Sequence, residues 1–315
     1  MIICISANPA LDQRVWLNSL NVGAINRAQN ARSMLGGKAA HVAMAARELG
    51  EAVLWVGFLG GVTGTYLEHK LTALRIPAEI VRSQSATRIN QEIIEVNGTV
   101  TEILEPGGTI NEDEAIEMFS VCCRLFDRHT GAKVVLSGSL PPGLPATFYA
   151  KLIEAAHDRG CAVFLDASGE ALIAGIAMSP DLVKPNRHEA EGLLGRSVRD
   201  QIGAVAAARL VLDLGARSVA LSLGSEGLVW IASPDTEPLI LRPPVISGRS
   251  AVGCGDTVLA GLAVSSVRQM SPRDGAVLAV ACGVANCLAE SPGMIDTNEV
   301  RRLTEQIVVE EWVER

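Results

Sequence analysis

The sequence predicts an α/β fold in which helices flank a doubly wound, mostly parallel sheet. Short apolar runs rich in β-branched residues alternate with segments of helical spacing, and over residues 132–224 the order is β-α-β-α-β-α-β. Apolar residues make up 48% of the chain and aromatic residues only 3%, so we expect an aliphatic core suited to helices on a parallel sheet. In such a sheet, ligands bind beyond the carboxyl ends of the strands.

The elements of the large sheet can be followed along the chain. Its predicted strands are the runs MIICISA, AVLWVGFLG, VVLSGSL, AVFLDAS, DLVKPN and SVALSLG. Two predicted helices, KAAHVAMAARELG and VRDQIGAVAAARLVLDLG, end at Gly50 and Gly215, since glycine is favoured just beyond a helix C-terminus. The uncharged, apolar run at residues 275–289 has only 15 residues, which predicts a buried helix and not a membrane span.

One segment, residues 87–108, breaks the alternation. Two strand-like runs flank Asn97-Gly98, which predicts an antiparallel hairpin with a type I′ turn. Such a hairpin is either an edge decoration or a lid, and we expect residues 15–28 to supply partner strands. The resulting β lid, over residues 13–33 and 87–108, is expected to cover the active site and to pair with a second copy in a homodimer. We otherwise expect residues 1–315 to form a single domain.

Charge and cysteine usage exclude several classes of protein. The net charge is −8 at pH 7 and no cluster of lysine and arginine occurs, so we expect no nucleic-acid partner. The seven cysteines form no CxxC pair and most lie in apolar runs, so they are predicted to be buried free thiols in a reducing cytoplasm. The amino-terminal run MIICISANP lacks the basic region of a signal peptide, so we expect a cytoplasmic protein without a membrane partner.

Common nucleotide, metal and hydrolase motifs do not occur in the sequence. GGKAAHVA, residues 36–43, is not a P-loop, because Lys38 is followed by Ala39 and no glycine stands five residues before Gly37. No GxGxxG follows a strand, and the chain has no GxSxG, no HExxH and no zinc-like spacing of His and Cys. These absences argue against P-loop and Rossmann nucleotide sites, serine hydrolases and zinc enzymes.

The stretch AVGCGDTVLAG, residues 251–261, places an acid behind a glycine-rich loop. Gly248, Gly253 and Gly255 let backbone N–H groups point at one spot, and a helix N-terminus behind them makes an anion site. Asp256 beside that site can be an ordinary first-turn acid, which the helix dipole favours by about 0.3 to 1 kcal/mol. It can also be the base that deprotonates a hydroxyl while the hydroxyl attacks a phosphoryl group.

The chain contains six short motifs: NPALD at 8–12, GGK at 36–38, SGSLPPG at 137–143, KPNRHE at 184–189, SLGSEG at 222–227 and VGCGDT at 252–257. In this order and spacing the sequence resembles the PfkB, or ribokinase-like, sugar kinases over its whole length. It looks closest to the phosphofructokinase and tagatose-phosphate kinase branch, which phosphorylates phosphorylated ketohexoses. The resemblance implies a ribokinase-like fold, ATP as phosphoryl donor and Mg²⁺ as cofactor.

The resemblance assigns the chemistry to VGCGDT. Asp256 is expected to be the base that takes the proton of the acceptor hydroxyl. The N–H groups of Gly253, Cys254 and Gly255 are expected to neutralise the transferring phosphoryl group. Cys254 and Thr257 replace the more frequent Ala and Ser of the family, mild changes that leave the acid and the glycine loop in place.

The resemblance assigns two further motifs to the nucleotide and its metal. Asn186 and Glu189 of KPNRHE are expected to position Mg²⁺ through water, because this ion sheds its water shell reluctantly. A helix start after a proline, with Glu189 as a favourable first-turn acid, is the alternative. SLGSEG passes under the nucleotide or is an ordinary turn. The implied nucleotide-binding residues are Asn186, Ser222, Gly224 and Gly227.

The resemblance also implies a site for the sugar acceptor. Asp12, with Gly36 and Gly37, is expected to contact acceptor hydroxyls, since a carboxylate can accept two hydrogen bonds from a diol. Arg88, in the hairpin, is the best candidate for a contact to an acceptor phosphate, because a guanidinium binds phosphate bidentately. The remaining implied substrate-binding residues are Arg27, Lys38, His41, Asn90 and Ser139.

Two regions depart from the family pattern. The family commonly has GGKGxN where this chain has Ala39 and His41, so an imidazole replaces the usual sugar-binding asparagine. Fructose-1-phosphate kinases commonly carry a lysine where this chain has Glu92, which removes one phosphate contact and is expected to add a negative charge. These differences leave the identity of the substrate open.

Three functions are compatible with the sequence. The first is an ATP-dependent kinase of a phosphorylated ketohexose: fructose 1-phosphate, fructose 6-phosphate or tagatose 6-phosphate. The second is a kinase of an unphosphorylated sugar or a nucleoside on the same fold, against which the basic residues Arg27 and Arg88 argue. The third is a non-catalytic sugar or nucleotide sensor, which has no need of a base such as Asp256.

Overall fold

The computed structural model describes residues 1–248 and 250–313 of the chain. Within these residues, 14 strands form two sheets that are accompanied by ten α-helices. The strands are β1 (Ile2–Ser6), β2 (Ala10–Leu17), β3 (Asn30–Gly36), β4 (Val53–Leu59), β5 (Ala78–Arg82), β6 (Arg88–Glu95), β7 (Val100–Leu104), β8 (Lys133–Ser137), β9 (Ala162–Asp166), β10 (Leu182–Val183), β11 (Val219–Ser222), β12 (Leu228–Ile231), β13 (Leu239–Arg242) and β14 (Val308–Glu311). The helices are α1 (Lys38–Glu48), α2 (Gly61–Ala73), α3 (Glu112–Arg128), α4 (Phe148–His157), α5 (Gly169–Ile176), α6 (Arg187–Leu194), α7 (Gln201–Asp213), α8 (Cys254–Val267), α9 (Pro272–Leu288) and α10 (Thr297–Thr304).

The large sheet has ten strands in the order β14-β13-β12-β11-β10-β9-β8-β1-β4-β5. The strands from β11 to β5 pair in parallel, and β12, β13 and β14 extend the sheet in antiparallel fashion. The six runs predicted as strands are β1, β4, β8, β9, β10 and β11, so the doubly wound, mostly parallel sheet is confirmed. The chain runs outward from β1 to β4 and β5, and later from β8 in the other direction. This topology puts a switch point beside β1.

Helices cover both faces of the large sheet. In β1, Ile3 and Ile5 face one helical layer and Ile2 and Cys4 face the other, as the alternation of side chains along a strand requires. The first layer contains α3 to α7, and the second contains α1, α2, α8, α9 and α10. Val, Ile, Leu and Ala dominate both layers, which confirms the predicted aliphatic core.

Helix ends follow the local sequence. Gly50 and Gly215, with φ of 88° and 125°, follow α1 and α7 as predicted. Helix α7 begins at Gln201, later than the predicted segment, because the Asp200 side chain caps it by accepting a hydrogen bond from the N–H of Gly203 at 2.8 Å. The long uncharged run lies within α9 and is largely buried. No helix in the described ranges is long and apolar enough to cross a membrane.

The small sheet has the order β3-β2-β6-β7, in which β2 pairs antiparallel with β3 and parallel with β6. Strands β6 and β7 form the predicted hairpin. Residues 15–28 were expected to supply the partner strands of the hairpin, but most of them are not in a strand. The hairpin pairs with β2, and residues 18–29 form the loop between β2 and β3. This stretch is rich in turn-forming residues, and the Asn26 side chain closes it by accepting from the N–H of Asn21 and donating to its carbonyl, both at 2.9 Å.

The turn of the hairpin is not the predicted type I′. That turn needs positive φ at both central residues, whereas Gly98 has a φ of 86° and Asn97 is not in the positive region. The N–H of Gly98 donates to the carbonyl of Glu95, and the N–H of Glu95 donates to the carbonyl of Thr99, each at 2.9 Å. Three residues therefore connect the strands. The Asn97 side chain stabilises the turn instead, since its oxygen accepts a hydrogen bond from Thr99 at 2.8 Å.

Candidate active site

Polar residues gather at the carboxyl ends of the central strands, next to the switch point. Asn8 follows β1, Ser139 follows β8, Asp166 ends β9 and Lys184 follows β10. The N-terminal ends of α1 and α8 and one face of the small sheet meet in the same space, because His41 contacts acids from both β2 and α8. This is the edge of the sheet at which the topology predicts ligand binding.

The acid–histidine cluster consists of Asp12, His41, Asn90 and Asp256. Nδ1 of His41 lies 2.8 Å from Oδ2 of Asp256, and its Nε2 lies 3.4 Å from Oδ2 of Asp12. Nδ2 of Asn90 donates a hydrogen bond to Oδ1 of Asp12 at 3.0 Å. All four residues are buried, and Asp256 is 7% exposed. Four separate elements thus bring these predicted residues together.

The imidazole of His41 is held in its charged form by the two acids. Burial alone lowers its pKa, but the hydrogen bonding and charge of Asp12 and Asp256 outweigh burial and raise the pKa of His41 to about 10. At neutral pH both ring nitrogens therefore carry hydrogens. The hydrogen on Nδ1 is shared with Asp256, whereas Nε2 lies at ion-pair distance from Asp12 without a hydrogen bond. Because Oδ2 of Asp256 bonds to His41, Oδ1 is the carboxylate oxygen that keeps no partner among the described residues.

Two glycines set the spacing between β2 and α1. A Cβ atom at Gly36 would lie 2.1 Å from Cγ of Asp12, so a larger residue there displaces the acid. Gly37 precedes α1 with a φ of 90°, a region that favours glycine. The pair therefore lets α1 begin directly beside Asp12, which brings Lys38 and His41 into the site.

The loop before α8 presents free backbone donors. Gly253 opens the helix in the left-handed conformation, with φ of 80°. The N–H groups of Gly253, Gly255 and Asp256 find no acceptor among the described residues. The N–H of Cys254 differs from them because it donates to the carbonyl of Ala251 at 3.2 Å. Free donors at a helix N-terminus form an anion site.

The lysine cluster consists of Lys38, Lys184, Asp166 and Glu189. Nζ of Lys38 lies 2.8 Å from Oδ1 of Asp166 and 3.9 Å from Oε1 of Glu189, and Nζ of Lys184 lies 3.2 Å from Oδ2 of Asp166. Burial raises the pKa of Asp166, but Lys184 and Lys38 outweigh it and hold that pKa below its ordinary value. Burial lowers the pKa of Lys38, and the charges of Asp166, Asp256 and Glu189 more than reverse the effect.

The start of α8 joins the two clusters. A Cβ atom at Gly255 would lie 3.3 Å from Nζ of Lys184, so the ammonium group lies directly beside the start of α8. The next residue, Asp256, belongs to the acid–histidine cluster. An anion bound at the start of α8 therefore has an ammonium group on one side and a carboxylate on the other.

Asn186 and Glu189 form a reciprocal helix cap. Oδ1 of Asn186 accepts from the N–H of Glu189, and Oε2 of Glu189 accepts from the N–H of Asn186, both at 2.9 Å. The helix-start alternative is therefore realised in the structure. No group of three or more His, Cys, Asp or Glu side chains in the described ranges could hold a metal ion directly. The role of this pair in binding Mg²⁺ stays a prediction.

Arg88 and Ser139 are linked through Asn8. The Arg88 guanidinium donates to the carbonyls of Glu105 at 2.8 Å and of Asn8 at 3.0 Å. Nδ2 of Asn8 in turn donates to Oγ of Ser139 at 3.1 Å. Nε of Arg88 is buried and has no partner in the described part of the chain. The hairpin thus brings Arg88 to the carboxyl end of β1 with its Nε donor unused.

Other predicted residues lie at the edges of the site. Arg27 is exposed in the loop between β2 and β3, and it forms no hydrogen bond or ion pair with the described residues. Ser222 ends β11 and forms a parallel bridge with Asn186. Gly224 and Gly227 follow in a tight turn with φ of 64° and 106°. Their contacts to a nucleotide stay a prediction.

Glu92 does not add the expected free negative charge. Its Oε2 lies 2.7 Å from Nε of Arg14, and the two residues stand opposite each other on β6 and β2. Their side chains are only 3% and 5% exposed, and Arg14 also donates to the carbonyl of Glu290 at 3.0 Å. A lysine at position 92 would bury two cations side by side, so this chain needs an acid there.

The sequence motifs gave no role to four residues that the structure places in the site or beside it: Asn8, Arg14, Asp166 and Lys184. Asp166, in the run AVFLDAS, ends β9, and Lys184, in the run DLVKPN, directly follows β10. A charged residue at the carboxyl end of a buried parallel strand is a signal for a ligand site. The Arg14 pair has no comparable signal, because its partner depends on the register between β2 and β6.

A carboxylate beside an anion site with free N–H groups and a lysine is the arrangement of a phosphotransferase that uses an alcohol as acceptor. The chain belongs to the pfkB family of carbohydrate kinases, because its residues 10–299 match the pfkB family carbohydrate kinase model. The family and the ribokinase-like fold predicted from the motifs are thereby confirmed.

Relatives and solved structures cover nearly the whole chain. It is 36% identical over 269 residues to 1-phosphofructokinase of Xanthomonas campestris pv. campestris, a match that covers 84% of this chain and 83% of the relative. It is 33% identical to tagatose-6-phosphate kinase of Staphylococcus epidermidis, over 98% and 99% of the two chains. The structure of phosphofructokinase-2 from Escherichia coli in complex with fructose-6-phosphate is similar with a TM-score of 0.89, 26% identity, and coverage of 97% and 98%.

Proposed function

We propose that this carbohydrate kinase transfers the γ-phosphoryl group of ATP to a hydroxyl of fructose 1-phosphate, fructose 6-phosphate or tagatose 6-phosphate. The observation that carries the proposal is Asp256, buried at the start of α8 with one carboxylate oxygen bonded to His41 and free N–H groups beside it. The relatives named 1-phosphofructokinase and tagatose-6-phosphate kinase support an acceptor that already carries a phosphate.

Asp256 is the base in this proposal. Its Oδ1 accepts the proton of the acceptor hydroxyl while the hydroxyl oxygen attacks the phosphoryl group and the bond to the nucleotide breaks. His41 fixes the orientation of the carboxylate through Oδ2. Asp12, oriented by Asn90 and His41, accepts hydrogen bonds from other hydroxyls of the sugar and so positions the one that reacts.

The start of α8 balances the charge of the transferring phosphoryl group. The free N–H groups of Gly253, Gly255 and Asp256 are preorganised donors, and such donors stabilise charge that develops in a transition state. Lys184 adds a positive charge beside Gly255. The N–H of Cys254 joins this set only after it leaves the carbonyl of Ala251.

Asn186 and Glu189 fit a magnesium ion that is held through water. Oε1 of Glu189 is not used by the helix cap, and the nearest cation is Nζ of Lys38 at 3.9 Å. Oxygen donors of this kind suit Mg²⁺, which usually keeps several waters and takes one or two carboxylates from the protein. When bound, the ion supplies positive charge to the nucleotide phosphates.

Arg88 is the contact to the phosphate that the acceptor already carries. Its unused Nε and its position beside Asn8 and Ser139 support this role. Burial lowers the pKa of Arg88 from its ordinary value, while the charge of Asp12 raises it. A guanidinium remains protonated under all ordinary conditions, so Arg88 offers a fixed cation to the phosphate.

The small sheet is the proposed interface of a homodimer. Val22 and Ile25, in the loop between β2 and β3, are 95% and 82% exposed, and Ile103 on β7 is 51% exposed. Exposed apolar side chains on a small sheet and its connecting loop favour a covering partner. Light scattering after size exclusion would give the mass of one chain if the interface is wrong.

We place the dimer in the cytoplasm, since all seven cysteines are free.

A panel of acceptors tests the function. The protein is incubated with Mg-ATP and fructose 1-phosphate, fructose 6-phosphate, tagatose 6-phosphate, fructose or adenosine, and ADP release is followed. We expect kcat/KM for one of the ketohexose phosphates to exceed that for fructose and adenosine by at least about tenfold, the gain from one charge-assisted contact. Preference for fructose or adenosine would overturn the substrate class, and release with none of them would support a sensor.

A further inference from the structure

Two cysteines face each other at the start of α8. Sγ of Cys254, the first residue of α8, lies 2.7 Å from Sγ of Cys287, near the end of α9. A disulfide bond measures about 2.05 Å, so the two sulfurs need to approach by only about 0.65 Å to form one. Neither thiol has a role in the proposed phosphoryl transfer.

The environment of this pair differs from that of the other cysteines. Cys254 and Cys287 are half-buried, as Cys123 also is, contrary to the expectation of buried thiols, so a small oxidant can reach them. The hydrogen bond between Cys254 and Cys287 lowers the pKa of Cys287. This effect outweighs the rise in pKa that burial causes. Burial raises the pKa of the other five thiols, which are Cys4, Cys122, Cys123, Cys161 and Cys282.

The pair contacts both sides of the loop at the start of α8, residues 250–255, which we call the anion loop. A Cβ atom at Gly248, before the loop, would lie 3.1 Å from Cβ of Cys287. Nδ2 of Asn286 donates to Sγ of Cys254 at 3.3 Å and to the carbonyl of Val252 at 2.8 Å. A bond between the two sulfurs therefore joins the end of α9 to the segment whose N–H groups face the anion.

We propose that Cys254 and Cys287 are a modification site, a dithiol that peroxides oxidise to a disulfide at the base of the anion loop. The Cys287 thiolate attacks a peroxide oxygen and the O–O bond breaks, which leaves a sulfenic acid on Cys287 and releases hydroxide. The Cys254 thiol then attacks that sulfur, the S–O bond breaks, the S–S bond forms and water leaves. In total two thiols lose two hydrogen atoms, and one hydrogen peroxide becomes two water molecules.

The disulfide slows phosphoryl transfer, an effect that rests on the proposed function of the loop. Donors to a developing charge act within a narrow range of distances, about 2.7 to 3.1 Å. Closing the sulfur–sulfur gap moves Cys254 toward α9 by a few tenths of an ångström and restrains the adjacent glycines. We expect kcat to fall about 3- to 10-fold, less than the roughly 100-fold cost of a full 1 Å misplacement.

The test combines peptide mapping with turnover. The full chain is treated with hydrogen peroxide, free thiols are blocked with N-ethylmaleimide, and the protein is digested without reduction. We expect a linked peptide pair that has lost two hydrogen atoms, with fragments that assign the bond to Cys287 and not to Cys282. Turnover is expected to fall with formation of the pair and to recover in dithiothreitol.

Two variants provide the comparison. Cys287→Ala removes one sulfur outside the binding machinery, so it should keep the unoxidised kcat and resist peroxide. Cys123→Ala, at a half-buried cysteine of α3, should respond to peroxide as the natural protein does. Oxidation of Cys287 without the linked pair would overturn the disulfide. Peroxide could also reduce the turnover of Cys287→Ala as much as that of the natural protein, or the linked pair could form with turnover unchanged. Either result would overturn the effect of the disulfide on the loop. The linked pair is detected by mass alone, so failure of the proposed function remains distinguishable.

Discussion

Two charged clusters meet at the start of α8, and the arrangements of charge at their centres are opposite. In the acid–histidine cluster one cation, His41, lies between two carboxylates. In the lysine cluster one carboxylate, Asp166, lies between two ammonium groups. Each arrangement pairs every buried charge with the opposite sign, as burial requires. The difference lies in what each leaves unused, namely a carboxylate oxygen in the first cluster and ammonium hydrogens in the second.

This difference separates the two halves of the proposed reaction. A free carboxylate oxygen accepts a proton, whereas ammonium hydrogens bind phosphate oxygens. Asp256 and Gly255, adjacent residues of α8, contact one cluster each. In the proposed reaction, the helix start keeps the base close to the phosphoryl group while a separate set of charges holds that group. Variants in one cluster should therefore have effects that variants in the other do not share.

The largest effect is expected from loss of the base. Asp256→Asn keeps the size of the side chain and removes proton acceptance, so kcat should fall by roughly 10² to 10⁴. Steady-state kinetics with saturating Mg-ATP measure it. Asp274→Asn, which alters an exposed first-turn acid of α9, is the matched control and should leave kcat unchanged. A third of the natural turnover in Asp256→Asn would refute the assignment.

The next effect concerns the stability contributed by His41. Its pKa is raised from 6.5 to about 10 by acids on β2 and α8, so its charged form stabilises the fold fully below pH 6.5. That contribution is lost as the pH rises through 10. His41→Asn should therefore lose less stability between pH 6.5 and pH 10 than the natural protein, by on the order of a few kcal/mol.

Denaturant unfolding at the two pH values measures this difference. Other groups titrate in the same range, and they are shared by both proteins, so the comparison isolates the imidazole. His157→Asn alters a histidine that pairs with Asp181 at 3.1 Å outside the site, and it should keep the natural pH dependence. If His41→Asn also keeps the natural pH dependence of stability, the imidazole of His41 is not charged between the two acids.

A smaller effect is expected outside both clusters, at Arg88. Truncation to Ala removes a charge-assisted hydrogen bond worth about 1.5 to 3 kcal/mol, so kcat/KM for the ketohexose phosphate should fall roughly 10- to 150-fold. Any slow reaction of free fructose should be unaffected. Arg82→Ala, at an exposed arginine of β5, serves as the control. Equal losses on both sugars would mean that Arg88 only supports the small sheet.

The smallest effect on stability is expected at Glu189. Glutamine also completes a capping box, so Glu189→Gln should cost only about 0.3 to 1 kcal/mol of unfolding free energy. The Mg²⁺ concentration for half-maximal rate should rise. Glu114→Gln changes the equivalent position of the cap at α3 and should leave the Mg²⁺ requirement alone. A large loss of stability with an unchanged metal requirement would leave Glu189 as a cap only.

Much of this fold could be predicted because its signals are local. Strands such as β8 and β9 are short apolar runs, and Gly50 and Gly215 end their helices through backbone geometry that neighbouring residues determine. The hairpin at residues 88–104 was predicted from Asn97-Gly98 for the same reason. The predicted type of its turn was wrong. The backbone of Asn97 does not adopt the left-handed conformation, and its side chain accepts a hydrogen bond from the N–H of Thr99 instead.

The contacts of the site could not be predicted, since they depend on distant pairing. Nothing near Glu92 in the chain indicates Arg14, and the ion pair exists because β2 and β6 align in one register. The position of His41 between two acids requires α1, β2 and α8 to meet. Motif order identified Asp256 and Asp12 as site residues, but only the tertiary structure shows that one imidazole connects them.

The separation of roles between the clusters is tested most directly by ATP affinity. Isothermal titration with ATP and Mg²⁺ is compared for the natural protein, Asp256→Asn and Lys184→Met, with thermal unfolding to verify that each is folded. We expect Asp256→Asn to bind ATP within about twofold of the natural protein, and Lys184→Met to bind it at least about tenfold more weakly, as loss of a charge-assisted phosphate contact requires. Natural affinity in Lys184→Met together with weakened binding in Asp256→Asn would contradict the account.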